Sequence, residues 1–313
     1  MKFIAIILLS LIIKPIVGEP FSFKEIQQVP IKNLKQPAFV KTSDGIELAY
    51  YSYIPKNPKA IVIFYHGAGL YGNAIHQWIA EELQEKSAIG TYVVDIRGHG
   101  NSGGERGDAP SIQQVWEDVS TVIKQAKTNY PNVPLYLAGH SSGAGLLLNY
   151  AAWPEHTTCV DGLILLAPYL GPNSGTLKVH QDPELQFAKK IRTWVFTIAG
   201  LTNGYLCAHI PAVYFNYPDY ILQDQKMLTY YTYTMSAATT PYQPKAVFES
   251  IQIPTTMLIA DEDEQFIAPA IAEYANFIPQ SVPRYTEIIK DTKHLTLLLQ
   301  APTLIAQAIE RQG

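Results

Sequence analysis

Short apolar runs alternate along the chain with stretches of helical periodicity. The predominantly apolar runs span residues 60–65, 91–96, 135–138 and 163–167. Runs of this kind are typical of strands buried on both faces. Between them, apolar residues recur every three or four positions, at Ile75, Trp78, Ile79 and Leu83 and then from Ile112 to Ile123. Repeated strand–helix units predict an α/β fold with a mostly parallel sheet and helices on both faces.

Further strands are predicted before and after this alternating region. Residues 39–53 alternate around Asp44-Gly45, which predicts two strands joined by a tight turn. The strands 255–260 and 285–289 and the helix 304–309 restore the rhythm late in the chain. Residues 169–244 break it, so we expect a helical cap inserted into a single domain that spans residues 19–313.

The N-terminus has a pattern of its own. Residues 3–13 are apolar except for Ser10, with Lys2 before them and Lys14 after them. A helix of that length spans only about 16 Å, whereas a bilayer core requires about 20 residues. Residues 1–18 are therefore predicted to be a signal peptide, and the protein to be exported to the periplasm or secreted. An uncleaved, membrane-associated N-terminal segment is the alternative.

The composition disfavours some classes of binding partner. The chain has 313 residues, 47% of them hydrophobic and 16% charged, and its formal net charge is -4. No basic cluster stands out, so nucleic acid is not an expected partner. Cys159 and Cys207 are too few for a disulfide framework and lack the spacing of a zinc site. They are free to pair in an oxidising compartment, but nothing in the sequence brings them together.

One pentapeptide carries the most specific chemical signal. Gly139-His140-Ser141-Ser142-Gly143 follows the strand 135–138 and precedes the helical run 144–152. A serine in this strand–turn–helix context lies on a sharp turn that lifts its hydroxyl toward substrate, and the flanking glycines leave room for the strand and helix around it. Ser141 is the predicted nucleophile.

A serine hydroxyl needs a histidine to accept its proton and a carboxylate to orient that histidine. In sites of this kind, the acid follows a late strand and the histidine comes last in the chain. His294 is the only histidine beyond residue 244, and the strand 256–259 runs into Asp261-Glu262-Asp263-Glu264. We predict Asp263 as the acid, with Asp261 as the alternative.

Attack on a carbonyl creates an oxyanion, which backbone N–H groups can stabilise. His66-Gly67-Ala68-Gly69 follows the strand 60–65 directly. The N–H groups of Ala68 and Ser142 are the predicted oxyanion hole. We expect His66 itself to be architectural.

Together these motifs resemble the α/β-hydrolase superfamily, and within it the monoacylglycerol lipase, lysophospholipase and serine-aminopeptidase-like group. The resemblance covers residues 39–309 and also rests on the segment Asp95–Gly104, which is similar to the turn after that group's fourth strand. It implies the α/β-hydrolase fold. Arg97 and His99 are expected to hold this turn through hydrogen bonds. Ala260 departs from the glycine of many relatives, which loosens the choice of Asp263 over Asp261.

The cap is rich in tyrosine and poor in charge. Between residues 204 and 242 it has eight tyrosines, of which Tyr214, Tyr217, Tyr230 and Tyr231 are the candidate substrate-binding residues. Such a surface suits an acyl chain, and we expect transient contact between the cap and a membrane surface. The tyrosines serve equally well to pack the cap onto the core.

These observations predict a serine esterase that forms an acyl-enzyme and requires no metal or organic cofactor. By resemblance, its substrate is a small lipid-like ester such as a monoglyceride or lysophospholipid. An aminopeptidase or amidase, or an acyltransferase, is the alternative on the same residues, and a non-catalytic binding protein is the alternative from another class. Serine rather than aspartate at position 141 disfavours dehalogenase and epoxide hydrolase chemistry. The oligomeric state is left open.

Overall fold

The computed structural model describes residues 20–155 and 160–313. The predicted signal peptide, residues 1–18, lies outside the described residues, as does Cys159. Export and the pairing of Cys159 with Cys207 therefore stay predictions. In the part of the chain that the structure describes, no helix is both long enough and apolar enough to cross a membrane.

The described residues form two sheets and a set of helices. The strands are β1 (Ala38–Lys41), β2 (Glu47–Tyr53), β3 (Ala60–Tyr65), β4 (Ile89–Val94), β5 (Leu135–His140), β6 (Gly162–Leu166), β7 (Ala188–Ile191), β8 (Pro211–Phe215), β9 (Tyr230–Thr232), β10 (Thr255–Ala260) and β11 (Arg284–Ile289). The α-helices are α1 (Ala74–Ser87), α2 (Ile112–Asn129), α3 (Ser142–Ala152), α4 (Thr193–Leu201), α5 (Asp219–Leu222), α6 (Tyr233–Ala238), α7 (Pro244–Ser250), α8 (Ala268–Glu273) and α9 (Leu297–Gln312).

The larger sheet has eight strands in the order β1-β2-β4-β3-β5-β6-β10-β11. Strand β2 runs antiparallel to both of its neighbours, and all other pairs are parallel. The chain moves one way from β3 to β4 and the other way from β4 to β5, so right-handed crossovers place α1 on one face and α2 on the other. The predicted α/β architecture is confirmed.

The change of direction at β4 determines where the candidate site lies in the sheet. Strands β3 and β5 are neighbours, in register from Ile61 opposite Leu135 to Tyr65 opposite Gly139. The chain leaves their carboxyl ends into the loop at His66 and the turn at Ser141. In open α/β sheets, the crevice beyond the carboxyl ends of such strands is where ligands bind.

The core explains the sequence pattern. Every residue of β3, β4, β5, β6 and β10 is buried, as expected of strands covered on both faces. Helices α1 and α2 bury the apolar side predicted from their periodicity, including Ile75, Ile79 and Leu83 in α1. At the turn before β2, Gly45 has a φ of +88°, a conformation that glycine adopts without strain.

The inserted segment is not purely helical, which corrects the expectation of a helical cap. Besides α4, α5 and α6, it contains a three-stranded antiparallel sheet in the order β7-β8-β9. These strands have only four, five and three residues. Alternation over so few positions is too short to distinguish from a loop, so the pattern missed them.

Four buried histidines lie around the carboxyl ends of the strands. Burial lowers the pKa of His66 to about 4 and that of His76 to about 3, and it also lowers the pKa values of His99 and His140. In the ring of His76, Nδ1 is 2.8 Å from Asn73 Oδ1, while Nε2 has no hydrogen-bond partner among the described residues. These rings are therefore neutral in the folded protein at pH 7.

Replacing His76 should flatten the dependence of stability on pH. Between pH 6.5 and about pH 3, the unfolded chain binds a proton at this position that the folded chain does not. The free energy of unfolding therefore falls as the pH falls, by up to about 1.4 kcal/mol per pH unit from this residue. Urea unfolding at pH 7, 6 and 5 should show a smaller decline in His76→Phe than in the wild type. Equal slopes would contradict a neutral buried ring.

Candidate active site

Ser141 lies at a strained turn between β5 and α3. Its φ is +55° and its ψ is −118°, a conformation that costs a non-glycine residue about 1–3 kcal/mol. Its N–H donates to Leu166 O (3.0 Å), and its carbonyl oxygen accepts from the N–H groups of Gly145 and Tyr169 (both 3.1 Å). Backbone hydrogen bonds from two neighbouring segments thus hold the turn. Its geometry presents the side chain of Ser141 beyond the carboxyl end of β5.

The glycines on either side of Ser141 are required by close packing. A Cβ on Gly143 would lie 2.5 Å from the carbonyl oxygens of Tyr65 and His66. A Cβ on Gly139 would lie 2.7 Å from the backbone nitrogen of Ala144. Both distances are far below a van der Waals contact, so the turn can approach β3 and α3 only with glycine at these positions.

His294 and Asp263 meet in the interior. Nδ1 of His294 lies 2.7 Å from Oδ2 of Asp263, and the two residues are 1% and 0% exposed. A carboxylate oxygen can only accept, so Nδ1 carries the hydrogen and Nε2 keeps its lone pair. Oδ1 of Asp263 accepts from the N–H groups of Gln265 (2.9 Å) and Phe266 (3.0 Å). The arrangement fits the role of a carboxylate that orients a base.

Two further contacts fix His294 beside the turn at Ser141. His140, the residue before Ser141, donates from Nε2 to the carbonyl oxygen of His294 at 3.0 Å. The rings of the two histidines are 4.7 Å apart. Glu264 Oε2 accepts from the N–H of His294 at 3.0 Å. The candidate base is thus tied to both the nucleophile turn and the acid loop.

Asp261, the alternative acid, lies elsewhere in the same loop. Its Oδ1 accepts from the N–H of Thr292 at 3.2 Å, and its Oδ2 is 3.5 Å from Lys290 Nζ. The carboxylate therefore braces the loop that carries His294 without contacting the imidazole. Of the two carboxylates considered, the structure brings only Asp263 to the ring.

The loop after β3 lies next to the nucleophile turn. A Cβ on Gly67 would be 3.4 Å from Cβ of Ser141, so the amide of Ala68 belongs to a loop in contact with that serine. Ser142 is the first residue of α3, where the N–H groups are not used within the helix. The two predicted oxyanion donors thus flank Ser141 on separate elements.

The remaining motif histidines and Arg97 are structural. His66 donates from Nδ1 to Gly67 O (2.9 Å) and accepts at Nε2 from the N–H of Ile96 (3.1 Å). Arg97, 1% exposed, binds Asp118 through Nε (2.7 Å) and Asp44 through Nη1 (2.8 Å). His66 thus holds backbone groups and Arg97 holds two acidic side chains, which agrees with the expectation that they are architectural.

Comparison with known families identifies the chain. The family model described as "Serine aminopeptidase, S33" matches residues 56–298, which is more than half of the sequence. The chain belongs to this α/β-hydrolase family.

The curated relatives of this α/β-hydrolase match parts of it. The monoglyceride lipase of Rattus norvegicus is 31% identical over 164 residues, which cover 51% of this chain and 52% of that protein. The monoacylglycerol lipase of Mycolicibacterium smegmatis is 26% identical over 136 residues, covering 43% and 47%. The chain thus spans about half the length of these relatives.

A solved structure is similar over nearly the whole chain. A soluble variant of monoglyceride lipase from Saccharomyces cerevisiae, in complex with a substrate analog, superposes with a TM-score of 0.64. The alignment covers 94% of this chain and 99% of that one at 15% identity. At that identity the likeness supports the fold.

The candidate tyrosines of the cap divide into two pairs. Neighbouring residues of a strand point to opposite faces, so Tyr230 and Tyr231 on β9 diverge. Tyr231 is buried and its hydroxyl accepts from the N–H of Gly69 at 2.9 Å. Tyr217 is also buried, and its hydroxyl donates to the carbonyl oxygen of Ala68. Both therefore hold residues 66–69, the predicted oxyanion loop of the hydrolase.

Tyr214 and Tyr230 lie away from the loop that contains Ala68 and Gly69. They are opposite each other in the cap sheet, with ring centroids 6.1 Å apart. The cations of Lys190 and Arg192 lie over the ring of Tyr214, at 5.5 and 5.1 Å from its centroid. Both rings are on the other face of the cap sheet from Tyr231, and the idea that this pair binds substrate stays a prediction.

Tyr231 lies within a hydrogen-bond chain that runs from Gly69 to Arg97. His99 donates from Nδ1 to Arg97 O (2.8 Å), so its Nε2 accepts from the hydroxyl of Tyr231 (2.7 Å). Burial lowers the pKa of His99 and raises that of Tyr231. Both groups stay neutral at pH 7, and the chain orients the hydroxyl oxygen toward Gly69.

Several residues at the site were missed. Gln265 and Phe266 contact the acid, Phe21 stacks on the base, and Phe187 packs against Phe21. Gln265 and Phe266 carry a detectable signal, since they lie two and three residues after Asp263. The other two have none, because only tertiary contacts bring them there. In the described ranges, no group of three or more His, Cys, Asp or Glu side chains is placed to hold a metal ion.

Substitution of the two aspartates should separate their roles. Asp263→Asn puts an NH₂ donor or a neutral oxygen beside Nδ1 and should slow labelling of Ser141 by a fluorophosphonate probe about 10³- to 10⁴-fold. Asp261→Asn keeps an acceptor for Thr292 and should label at nearly the wild-type rate. Equal losses in the two variants, measured by mass spectrometry against time, would contradict the assignment.

Proposed function

We propose that this chain is a serine hydrolase that cleaves carboxylic esters with lipid-like acyl groups, such as a monoglyceride or lysophospholipid. The observation that carries the proposal is the 2.7 Å hydrogen bond between His294 Nδ1 and Asp263 Oδ2, formed beside the strained turn of Ser141. An oriented base next to a serine on a strained turn is the arrangement that acyl transfer needs.

The proposed reaction has two halves. Ser141 Oγ attacks the ester carbonyl carbon, its proton passes to His294 Nε2, and the N–H groups of Ala68 and Ser142 stabilise the oxyanion. His294 then protonates the leaving alcohol as the C–O bond breaks. A water molecule gives its proton to His294 and attacks the acyl-enzyme, and the imidazolium returns a proton to Ser141 as the acid leaves. Asp263 holds the imidazole in one tautomer throughout.

The surroundings of the base support an apolar acyl group. Rings enclose His294, with Phe266 edge-on at 4.9 Å, and the cap adds Phe187 and Phe215, stacked at 5.1 Å, together with Tyr217. An enclosed, apolar site strengthens the interactions of the oxyanion with its donors. The curated relatives named as monoglyceride lipases point to the same substrate class.

A matched substrate panel tests the proposal. Long-chain p-nitrophenyl esters, a monoglyceride and a lysophospholipid should be hydrolysed, and Ser141→Ala should lower kcat by at least about 10⁴-fold. Ser250→Ala, at an exposed position on α7, is the control for the same change of side chain. Cleavage of an amino-acid anilide alone would make the chain an amidase. Equal activity of Ser141→Ala and wild type would refute the triad.

We also propose that the cap contacts a lipid surface transiently. Four large apolar residues in and after α4 are exposed: Trp194, Leu201, Tyr205 and Leu206, at 49%, 82%, 89% and 49%. Lys189 and Lys190 on β7 are exposed just before them. An apolar surface bordered by cations suits an anionic membrane, because the rings insert while the cations attract phosphate.

Vesicle co-sedimentation tests this contact. The wild type should bind vesicles that contain phosphatidylglycerol, and Trp194→Ser with Leu201→Ser should weaken that binding about tenfold or more, because both changes remove apolar surface from the lipid. Leu34→Ser changes a residue that is 60% exposed but lies outside the cap, and it should bind like the wild type. Unchanged binding of the double variant would exclude this surface.

A further inference from the structure

A segment far from the triad in sequence lies directly on the candidate base. The ring of Phe21 stacks on the imidazole of His294, with centroids 4.6 Å apart and an interplanar angle of 17°. Phe21 is 5% exposed. A ring stacked at this distance covers one face of the imidazole and leaves no room there for a second group.

The neighbours of Phe21 extend this cover to the cap. Its ring is 5.0 Å from that of Phe187, and the ring of Phe23 is 5.7 Å from that of Tyr217. Both Phe187 and Tyr217 belong to the inserted segment. The two phenylalanines of the N-terminal segment therefore fill the space between the base and the cap, which is where the proposed acyl group must lie.

We propose that residues 20–23 are an intramolecular plug that competes with substrate for the site. The inference rests on the proposed hydrolase function and adds a means of regulating it. In the plugged state Phe21 covers His294. An apolar acyl group replaces the ring when substrate binds, because both are apolar and pack against the same aromatic residues of the cap.

The plug is held less firmly than the chain that follows it. Among its described hydrogen bonds, one joins it to the rest of the protein, from Gln265 Nε2 to Pro20 O at 3.0 Å, while those of Ser22 and Phe23 stay within residues 22–27. Further along, the N–H groups of Lys32 and Asn33 donate to the buried carboxylate of Glu81 at 2.9 and 3.0 Å. Residues 32–33 can thus stay docked on α1 while residues 20–23 leave the site.

The cap is a poor candidate for the part that moves. Besides the tyrosine contacts to Ala68 and Gly69, the N–H of Leu228 donates to Gly69 O at 2.9 Å. Lifting the cap would pull on the oxyanion loop at three points. Withdrawal of Phe21 breaks no hydrogen bond to the nucleophile turn or the oxyanion loop, so it opens the site while leaving the catalytic groups in place.

A competing internal ligand has a defined kinetic signature. If only a fraction of molecules is open, the apparent affinity for substrate falls by that fraction, whereas kcat at saturation is unaffected. Phe21→Ala should therefore lower KM for a long-chain ester about tenfold or more, with kcat unchanged. It should accelerate fluorophosphonate labelling of Ser141 by a similar factor.

Matched variants distinguish removal of the plug from a general loosening of the N-terminal segment. Phe21→Leu leaves a smaller cavity and should shift KM and labelling in the same direction by a smaller factor. Ile26→Ala removes apolar volume from a residue of the same segment that is also 5% exposed but forms no ring contact with His294. It should behave as the wild type, and thermal unfolding checks that all three variants fold.

Three results would overturn the plug. A rise in KM in Phe21→Ala or Phe21→Leu would make Phe21 part of the substrate site. Unchanged KM and labelling in both would mean that the ring does not block the base. An equal gain in Ile26→Ala would assign the effect to loosening of the whole segment. Failure of the wild type to label at Ser141 would instead refute the hydrolase function on which the proposal rests.

Discussion

A carboxylate without contact with water must recover its hydrogen bonds from the protein, and the site is organised around that requirement at Asp263. Its oxygens accept from His294 and from the N–H groups of Gln265 and Phe266. Its carbonyl oxygen accepts from Lys178 Nζ at 2.6 Å. The turn that follows β10 is therefore held by four hydrogen bonds, and the imidazole takes its orientation from a carboxylate that cannot rotate.

The same turn joins parts of the molecule that are distant in sequence. The side chain of Gln265 accepts from the N–H of Phe187 and donates to the carbonyl oxygens of Leu185 and Pro20. One buried amide thus links the acid, the cap and the N-terminal segment. Because two of these three hydrogen bonds go to the cap, the amide stays anchored beside Asp263 even when Pro20 withdraws.

The predictable part of the site is contained in short motifs that adjoin strands. The strands that carry Ser141 and Asp263 are buried apolar runs, so both residues could be placed at one sheet edge before any contact was known. The choice between Asp261 and Asp263 could not be made so firmly, since it depends on which carboxylate faces the imidazole. The cap was harder still, because its strands are short and their pairing decides that Tyr231 faces the core while Tyr230 does not. No local pattern indicates that Phe21 lies on His294, because the contact is made entirely in tertiary structure.

The ion pairs of Arg97 constrain a surface turn that contributes no residue to the candidate active site. Arg97 is fully buried and shares its charge between Asp118 in α2 and Asp44 in the turn between β1 and β2. The side chain of Asp44 is 29% exposed, as is common for a turn. Loss of its carboxylate would leave a buried guanidinium with one counter-ion in place of two, and such charges are costly. Position 44, although in a surface turn, is therefore constrained by the charge of a buried side chain.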